Sequence, residues 1–410
     1  MRRWIVRSAL WLTAGILVSG AAAGQAGDWP QFRGPTQQGH SEERGLPLTW
    51  SETENIAWKT ELPGLGWSSP AIVGRQIWLT TALDDGHSLR VLCVDRESGR
   101  LVQNIEVFSK ANPGPIHKKN SHASPTPVVE GDRVYVHYGR HGTACLTTAG
   151  ELVWKTELVY DHRHGPGGSP VLFEDVVIIN CDGTDRQFTV GLDKRTGQEV
   201  WRSARDGRMA YSTPLLLTVN GQPQVVCCCG EWAVGYEPAS GKEVWRFRYP
   251  GGYSNVPRPV AGFGLTFVSS GYDTPTFYAL KLDQRGDITE TGVAWKLSKG
   301  APRNASPLLV GDELYLMTDN GIATCLDART GEVHWQERVG GDFSASPVFA
   351  DGRIYFLNET GKTTVLAPGK TYTVLAENEL PGRTLASLAP AHGAIYLRTD
   401  TALYRIEEGR

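Results

Sequence analysis

Basic and aromatic side chains recur at one position of this sequence, each at or just before the start of a predicted strand. Arginine offers paired N–H donors to carboxylate or phosphate groups, and aromatic rings offer flat apolar area at low entropic cost. If the fold brings such side chains together, they could bind an anionic or sugar-bearing partner. The alternative is that they are solvated loop ends or packing residues. The predicted ligand-binding set is Trp67, His122, His164, Tyr211, Tyr253, Arg258, Arg303 and Arg383.

Other motifs that could carry chemistry are weaker. Residues 180–185 hold oxygen ligands suited to calcium, but they lack the further carboxylates and the spacing of an EF-hand, so a turn is favoured. Cys227, Cys228 and Cys229 are adjacent within a predicted strand, and none of the seven cysteines has haem c or zinc spacing. The sequence contains no nucleophile elbow, phosphate loop or paired catalytic carboxylates. We therefore predict no catalytic residue and no metal ligand.

The elements that must position these residues form a repeat. A Ser-Pro or Thr-Pro dipeptide, or an equivalent, recurs eight times at a spacing of about 46 residues, which fits a four-stranded propeller blade. Residues 304–339 show one unit, with four short strand patterns and an Asn-Gly hairpin signal at 320–321. One such meander has open edges and needs neighbours like itself. The sequence therefore predicts an all-β protein with eight four-stranded antiparallel blades.

Tryptophans recur at one position of the repeat, following a turn of the form Asp-x-x-Thr-Gly. Their shared position favours packing between blades over a substrate cage. These residues are Trp58, Trp154, Trp201, Trp245, Trp295 and Trp335.

The Asp-x-x-Thr-Gly-x-x-x-Trp unit resembles the repeat of pyrroloquinoline quinone (PQQ) quinoprotein propellers over about residues 55–408. The opening at residues 29–35, WPQFRGP, is similar to the start of exported bacterial PQQ-like propellers. The resemblance implies the propeller fold but does not determine the activity. It covers PQQ-dependent alcohol dehydrogenases, which hold PQQ with calcium, and the non-enzymatic BamB-like family. The calcium ligand set of the dehydrogenases cannot be assigned to residues here.

The N-terminus has the pattern of a secretory signal over residues 1–26, with arginines before an apolar core and cleavage after Ala23 or Ala26. No cysteine lies there, so we expect no lipid anchor, unlike BamB lipoproteins. Residues 27–54 are expected to form an arm laid against the propeller. Residues 55–410 form the propeller, in which 55–62 supply the last strand of the last blade. Losing the arm should be milder than losing 55–62, because no ladder hydrogen bonds would be lost.

These features favour a non-catalytic binding scaffold of the cell envelope. We expect an exported, periplasmic or extracellular monomer that presents a basic and aromatic channel mouth to a protein or glycan and needs no cofactor. With a net charge of −3, it offers no global attraction for nucleic acid, and no second apolar stretch could span a membrane. The alternative is a PQQ-dependent dehydrogenase of alcohols or sugars.

Overall fold

The computed structural model describes residues 27–409, and the predicted signal at residues 1–26 lies outside this part of the chain. Eight sheets, here called blades 1 to 8 in chain order, each hold four antiparallel strands that are arranged in order from the channel outwards. Only two short 3-10 turns interrupt the strands of the described chain, at Asp84–Gly86 and Gly139–His141. The prediction of an all-β, eight-bladed propeller is confirmed.

The strands of the first four blades follow the order of the chain. Blade 1 has Ala71–Val73, Gln76–Leu83, Ser88–Asp95 and Leu101–Ser109. Blade 2 has Val128–Glu130, Arg133–His137, Thr143–Thr147 and Leu152–Thr156. Blade 3 has Val171–Phe173, Val176–Asp182, Gln187–Asp193 and Glu199–Arg205. Blade 4 has Leu215–Val219, Gln222–Cys228, Trp232–Tyr236 and Glu243–Arg248.

The remaining blades keep this order, with one strand borrowed from the N-terminal side. Blade 5 has Val260–Gly262, Leu265–Ser269, Phe277–Lys281 and Val293–Leu297. Blade 6 has Leu308–Val310, Glu313–Met317, Ile322–Asp327 and Val333–Arg338. Blade 7 has Val348–Ala350, Arg353–Leu357, Lys362–Leu366 and Val374–Glu379. Blade 8 has Ala389–Ala391, Ala394–Arg398, Ala402–Ile406 and Ile56–Glu61.

The ring closes where Ile56–Glu61 pairs antiparallel with Ala402–Ile406, placing Lys59 opposite Tyr404. This pairing covers the edge of the third strand of blade 8, which would otherwise be open to other chains. The predicted closure is confirmed. The long connection between the third and fourth strands of blade 5 adds a feature that the repeat did not predict. Its Gly286–Asp287 strand pairs in parallel with the outer strand of blade 4.

The repeated tryptophans join neighbouring blades. Trp58 donates from Nε1 to the carbonyl oxygen of Arg96, and Trp295 does the same to Ala328, each at 3.0 Å in the turn of the next blade. The glycine of that turn packs on the ring: a Cβ on Gly331 would lie 2.8 Å from the Trp295 ring. The predicted packing role is confirmed. Trp245 differs by bonding to Gln224 of its own blade.

No helix within residues 27–409 has the length and hydropathy needed to cross a membrane.

Candidate functional site

A belt of hydroxyl groups encircles the channel at the repeated Ser-Pro and Thr-Pro positions. At seven of the eight positions, the backbone N–H donates to the side-chain hydroxyl of the equivalent residue in the next blade at 2.9–3.0 Å. Because the donor and acceptor belong to different blades, the belt ties the inner strands to one another. The belt hydroxyls belong to Ser69, Thr126, Ser169, Thr213, Ser306, Ser346 and Ser387.

Arg258 occupies the belt position of blade 5 and has no hydroxyl. Its guanidinium Nε donates to the carbonyl oxygen of Pro214 at 2.9 Å, which joins blades 4 and 5 where the hydroxyl link is missing. The side chain is fully buried, and burial lowers its pKa, with the positive charge of Arg33 acting in the same direction. The prediction that Arg258 lines the channel mouth is wrong, because all its polar contacts are made inside the molecule.

The N-terminal arm closes one end of the channel. Trp29 and Ile72 exchange two backbone hydrogen bonds of 2.8 Å, and Phe349 donates to the carbonyl oxygen of Gly39 at 2.8 Å. Arg33 is fully buried and donates to the carbonyl oxygen of Pro307 at 2.7 Å. The arm thus pairs backbone groups that the inner strands would otherwise leave unpaired at the channel. The arm, which was expected to lie against the propeller, is therefore a plug, and the expectation that no ladder hydrogen bonds would be lost with it is wrong.

Above this plug lies a chamber of about 640 Å³. Phe32 of the arm lies against its floor, and all seven belt hydroxyl residues line its wall. The chamber also receives side chains from the loops that lead into the inner strands. Five of the eight predicted binding residues line it, namely Trp67, His164, Tyr211, Tyr253 and Arg303. Their predicted convergence is therefore observed, while their binding role stays a prediction.

Arg383 lies at the outer rim of this chamber and is exposed. Its guanidinium lies 5.5 Å from the centroid of the Trp67 ring and donates to the carbonyl oxygen of Lys118 at 3.1 Å. Trp67 itself is 6% exposed. These two residues, which lie far apart in the chain, therefore meet through a cation–π contact.

His122 does not line the chamber. It is 5% exposed and lies between blades 1 and 2, where its ring contacts Gly86 and lies 6.3 Å from the ring of His141. His141 lies a further 5.7 Å from His162. Burial lowers the pKa of His122, His141 and His162, so these rings stay neutral in the fold. The prediction that His122 lines the mouth is wrong, because its loop turns the ring towards this histidine cluster.

Residues 110–121, here called the strap, cross the mouth of the chamber. Lys119 forms an ion pair of 2.8 Å with Glu359 of blade 7. Asn120 donates from Nδ2 to the carbonyl oxygens of His164 and Pro166 of the loop before blade 3, at 2.7 and 3.0 Å. The strap, which carries three lysines, is therefore anchored at both sides of the mouth and roofs part of the chamber.

Two buried polar atoms at the chamber have no hydrogen-bond partner within residues 27–409. They are Nε1 of Trp67, which is a donor, and Oγ of Ser254, which can donate or accept. Ser254 also has a φ of 52°, in the left-handed region that a serine adopts at an energetic cost. Unpaired buried groups and backbone strain both concentrate at functional sites, so this part of the wall is suited to a ligand.

The charges around the chamber are of both signs. Burial raises the pKa of Asp319, whose carboxylate accepts the N–H groups of Arg303 and Asn304 at 3.2 Å. Burial also lowers the pKa of His164, and the positive charge of Arg163 acts in the same direction. At neutral pH His164 is therefore an uncharged aromatic surface rather than a cation.

The sequence did not single out Phe32, Ser254, Asp319 or Glu359 as site residues. Phe32 lies in an arm outside the repeat, and no periodic pattern says that this arm enters the channel. In the sequence, nothing distinguishes Ser254 from other loop serines. Glu359 is identified by its ion pair with Lys119, which lies 240 residues away in the chain. Apart from the basic character of the strap, no sequence signal could have found these contacts.

The weaker motifs have structural explanations. Asp182 is fully buried and pairs with Arg205, while Asp185 accepts the backbone N–H of Asp161 at 2.7 Å, so the acids of residues 180–185 have partners. Cys227, Cys228 and Cys229 are buried free thiols in and just after the second strand of blade 4. Among residues 27–409, no three His, Cys, Asp or Glu side chains are grouped as a metal site would require.

Comparison with known proteins adds a family match. The model of the family described as "Outer membrane protein assembly factor BamB" matches residues 41–179 and 185–408. A curated protein of that name from Burkholderia pseudomallei (strain K96243) is 27% identical over 233 residues, which cover 53% of this chain and 56% of that protein. The match thus spans little more than half the length of this relative.

Solved structures with the same fold include a BamB protein and a quinohemoprotein alcohol dehydrogenase. BamB from Moraxella catarrhalis superposes with a TM-score of 0.63 at 15% identity, covering 87% of this chain and 98% of that one. Quinohemoprotein alcohol dehydrogenase from Comamonas testosteroni superposes with a TM-score of 0.67 at 12% identity, covering 95% and 82%. At these identities the superpositions show the fold alone.

Proposed function

The chain belongs to the family of the outer membrane protein assembly factor BamB, and from this premise we propose that it is a non-catalytic scaffold of the cell envelope. It binds its partner at the chamber mouth, working without PQQ or calcium. The family match over most of the chain supports a protein-interaction scaffold and does not favour the dehydrogenase alternative. The signal pattern of residues 1–26 supports export to the periplasm or the extracellular space.

The observation that carries the proposal is the convergence of basic and aromatic side chains at one mouth. Tyr253, Tyr272 and Arg303 come from two neighbouring blades, and the Arg303 guanidinium lies 5.1 Å from the Tyr272 ring. Arg383 lies over Trp67 across the mouth. Arginine and aromatic residues carry much of the binding energy in protein interfaces, because they combine large contact areas with directed donors.

Affinity capture from an envelope extract tests this surface. The wild-type chain is immobilised beside a variant carrying both Arg303→Ala and Arg383→Ala. A matched control is Arg329→Ala, because Arg329 also lies over an aromatic ring, that of Phe263 at 3.9 Å, but belongs to an outer turn. We expect a partner that the wild type and the control retain and the double variant loses. Retention by all three would place the functional surface elsewhere.

The same purified chain should show no saturable binding of PQQ in the presence of calcium and no dye reduction with alcohols or sugars. A saturable titration that quenches tryptophan fluorescence would favour the dehydrogenase instead.

A further inference from the structure

The chamber wall is rich in hydrogen-bond donors. Each belt hydroxyl already accepts a backbone N–H, so one of its lone pairs is used while its own O–H is available to donate. Within the belt, one such O–H is engaged, because Ser346 lies 3.0 Å from the hydroxyl oxygen of Ser306. The remaining hydroxyls surround the chamber on all sides. A ligand that fits this wall must carry acceptor oxygens around its periphery.

Two features add to this donor excess. The buried Nε1 of Trp67 has no acceptor within the described chain. Lys118 and Arg303 line the chamber, and neither forms an ion pair with a carboxylate of residues 27–409. The Arg303 guanidinium donates to a backbone carbonyl oxygen, that of Asp273, at 2.9 Å. These two cations are available for an anionic group, which a guanidinium can bind with two donors.

The chamber also offers what a sugar ring requires. Trp67, Tyr211 and Tyr253 provide aromatic area for the apolar face of a ring, and Asp342 has no side-chain hydrogen bond within the described chain and can accept from a sugar hydroxyl. Sugar hydroxyls both donate and accept, so they can use the belt and this carboxylate together. The volume of about 640 Å³ lies within the range of small-molecule sites.

We propose that the chamber binds an acidic saccharide, with its carboxylate at Arg303 and its ring hydroxyls at the belt. This inference rests on the proposed function, because it gives the scaffold a second ligand inside the mouth at which it meets its partner.

The test is a calorimetric titration of the full chain with digalacturonate. Its matched control is the same disaccharide with both carboxylates methyl-esterified. We expect saturable binding of the acid, with the ester weaker by roughly tenfold or more, the equivalent of one charge-assisted hydrogen bond. Absence of binding to both sugars, or equal affinity for the acid and the ester, would overturn the proposal. Binding of PQQ that excludes digalacturonate would overturn it too.

Variants locate the site. Arg303→Gln should lower the affinity for digalacturonate by roughly tenfold, and Trp67→Phe should lower it less, since it removes one neutral donor. Arg329→Gln should leave the affinity unchanged. Thermal unfolding confirms that each variant is folded, and unchanged affinity in folded Arg303→Gln would contradict the proposed position of the carboxylate. Partner capture that persists while digalacturonate fails would reject the saccharide and keep the scaffold.

Discussion

Arg258 of blade 5 donates from Nη1 to the carbonyl oxygen of Phe32 at 2.7 Å, although 226 residues separate them in the chain. The same guanidinium bonds Gln37 Oε1 at 2.5 Å and Pro214 at 2.9 Å. One buried side chain thus holds the plug in the channel and replaces the missing link of the hydroxyl belt. The floor of the chamber and the link between blades 4 and 5 are therefore coupled.

The first prediction concerns this arginine. Arg258→Ala should lower the free energy of unfolding by on the order of 3 kcal/mol, because it leaves the buried carbonyl oxygens of Phe32 and Pro214 without a donor. Arg303→Ala should change it by about 1 kcal/mol or less, as expected for a side chain that is partly solvated. Urea denaturation of both variants measures the difference. Equal stabilities would mean that the buried contacts of Arg258 contribute little.

The second prediction separates the arm from the closing strand. A chain starting at residue 55 keeps Ile56–Glu61 and should fold with reduced stability, because the plug contacts are lost. A chain starting at residue 63 also exposes the edge of Ala402–Ile406 and should aggregate. Size-exclusion chromatography and circular dichroism distinguish the two. If the longer truncation stays monomeric and folded, the closing strand is dispensable.

The third prediction concerns the belt. Ser306→Ala removes the acceptor of the Arg258 backbone N–H and should destabilise the fold by roughly 1–3 kcal/mol, the penalty of a buried unsatisfied donor. Ser240→Ala, in an exposed turn, is the control and should change stability little. Thermal unfolding measures both. A belt that serves only as chamber lining would give the same small effect at the two serines.

The fourth prediction concerns pH. Burial lowers the pKa of His137 and His162 to about 3 and that of His141 to about 4, against about 6.5 when unfolded. Below pH 6.5 the unfolded chain binds protons that the folded chain does not bind, so the stability that these neutral rings contribute is full above pH 6.5. It falls with pH down to about 4 for His141 and down to about 3 for His137 and His162. Each neutral imidazole gives a slope of up to about 1.4 kcal/mol per pH unit.

His162→Gln tests this linkage, since glutamine does not titrate. Urea denaturation between pH 7.5 and 4.5 should show a pH dependence smaller by about one proton than in the wild type. His87→Gln is the control, because His87 is exposed. An unchanged slope in His162→Gln would show that this ring is protonated in the fold.

The fifth prediction concerns the strap. Glu359→Gln removes the charge that pairs with Lys119 and should speed amide hydrogen exchange in residues 110–121 severalfold, while the inner strands keep their protection. Glu377→Gln breaks an exposed ion pair with Lys362 and serves as the control. Exchange followed by mass spectrometry reports each segment. Unchanged exchange in the strap would mean that the amide contacts of Asn120 hold it without the ion pair.

The sequence by itself determined the fold and much of the chamber wall. The period of the repeat and its turn signals predicted the blades, the tryptophan joints and the closing strand. Each depends on local patterns or on a position shared by all copies. For the same reason the repeat brought Trp67, His164, Tyr211, Tyr253 and Arg303 to one end of the channel, since equivalent positions of a ring must converge.

Only the tertiary structure decided what happens where the repeat is broken. Arg258 stands at a belt position, and its type suggested a surface cation, yet the arm that enters the channel surrounds it with buried carbonyl oxygens. The ring of His122 points towards a histidine cluster, and Lys119 of the strap pairs with Glu359 across the mouth. These contacts join segments that lie far apart in the chain and outside its periodicity. They depend on how the arm and loops pack in three dimensions, which no local pattern of residues encodes.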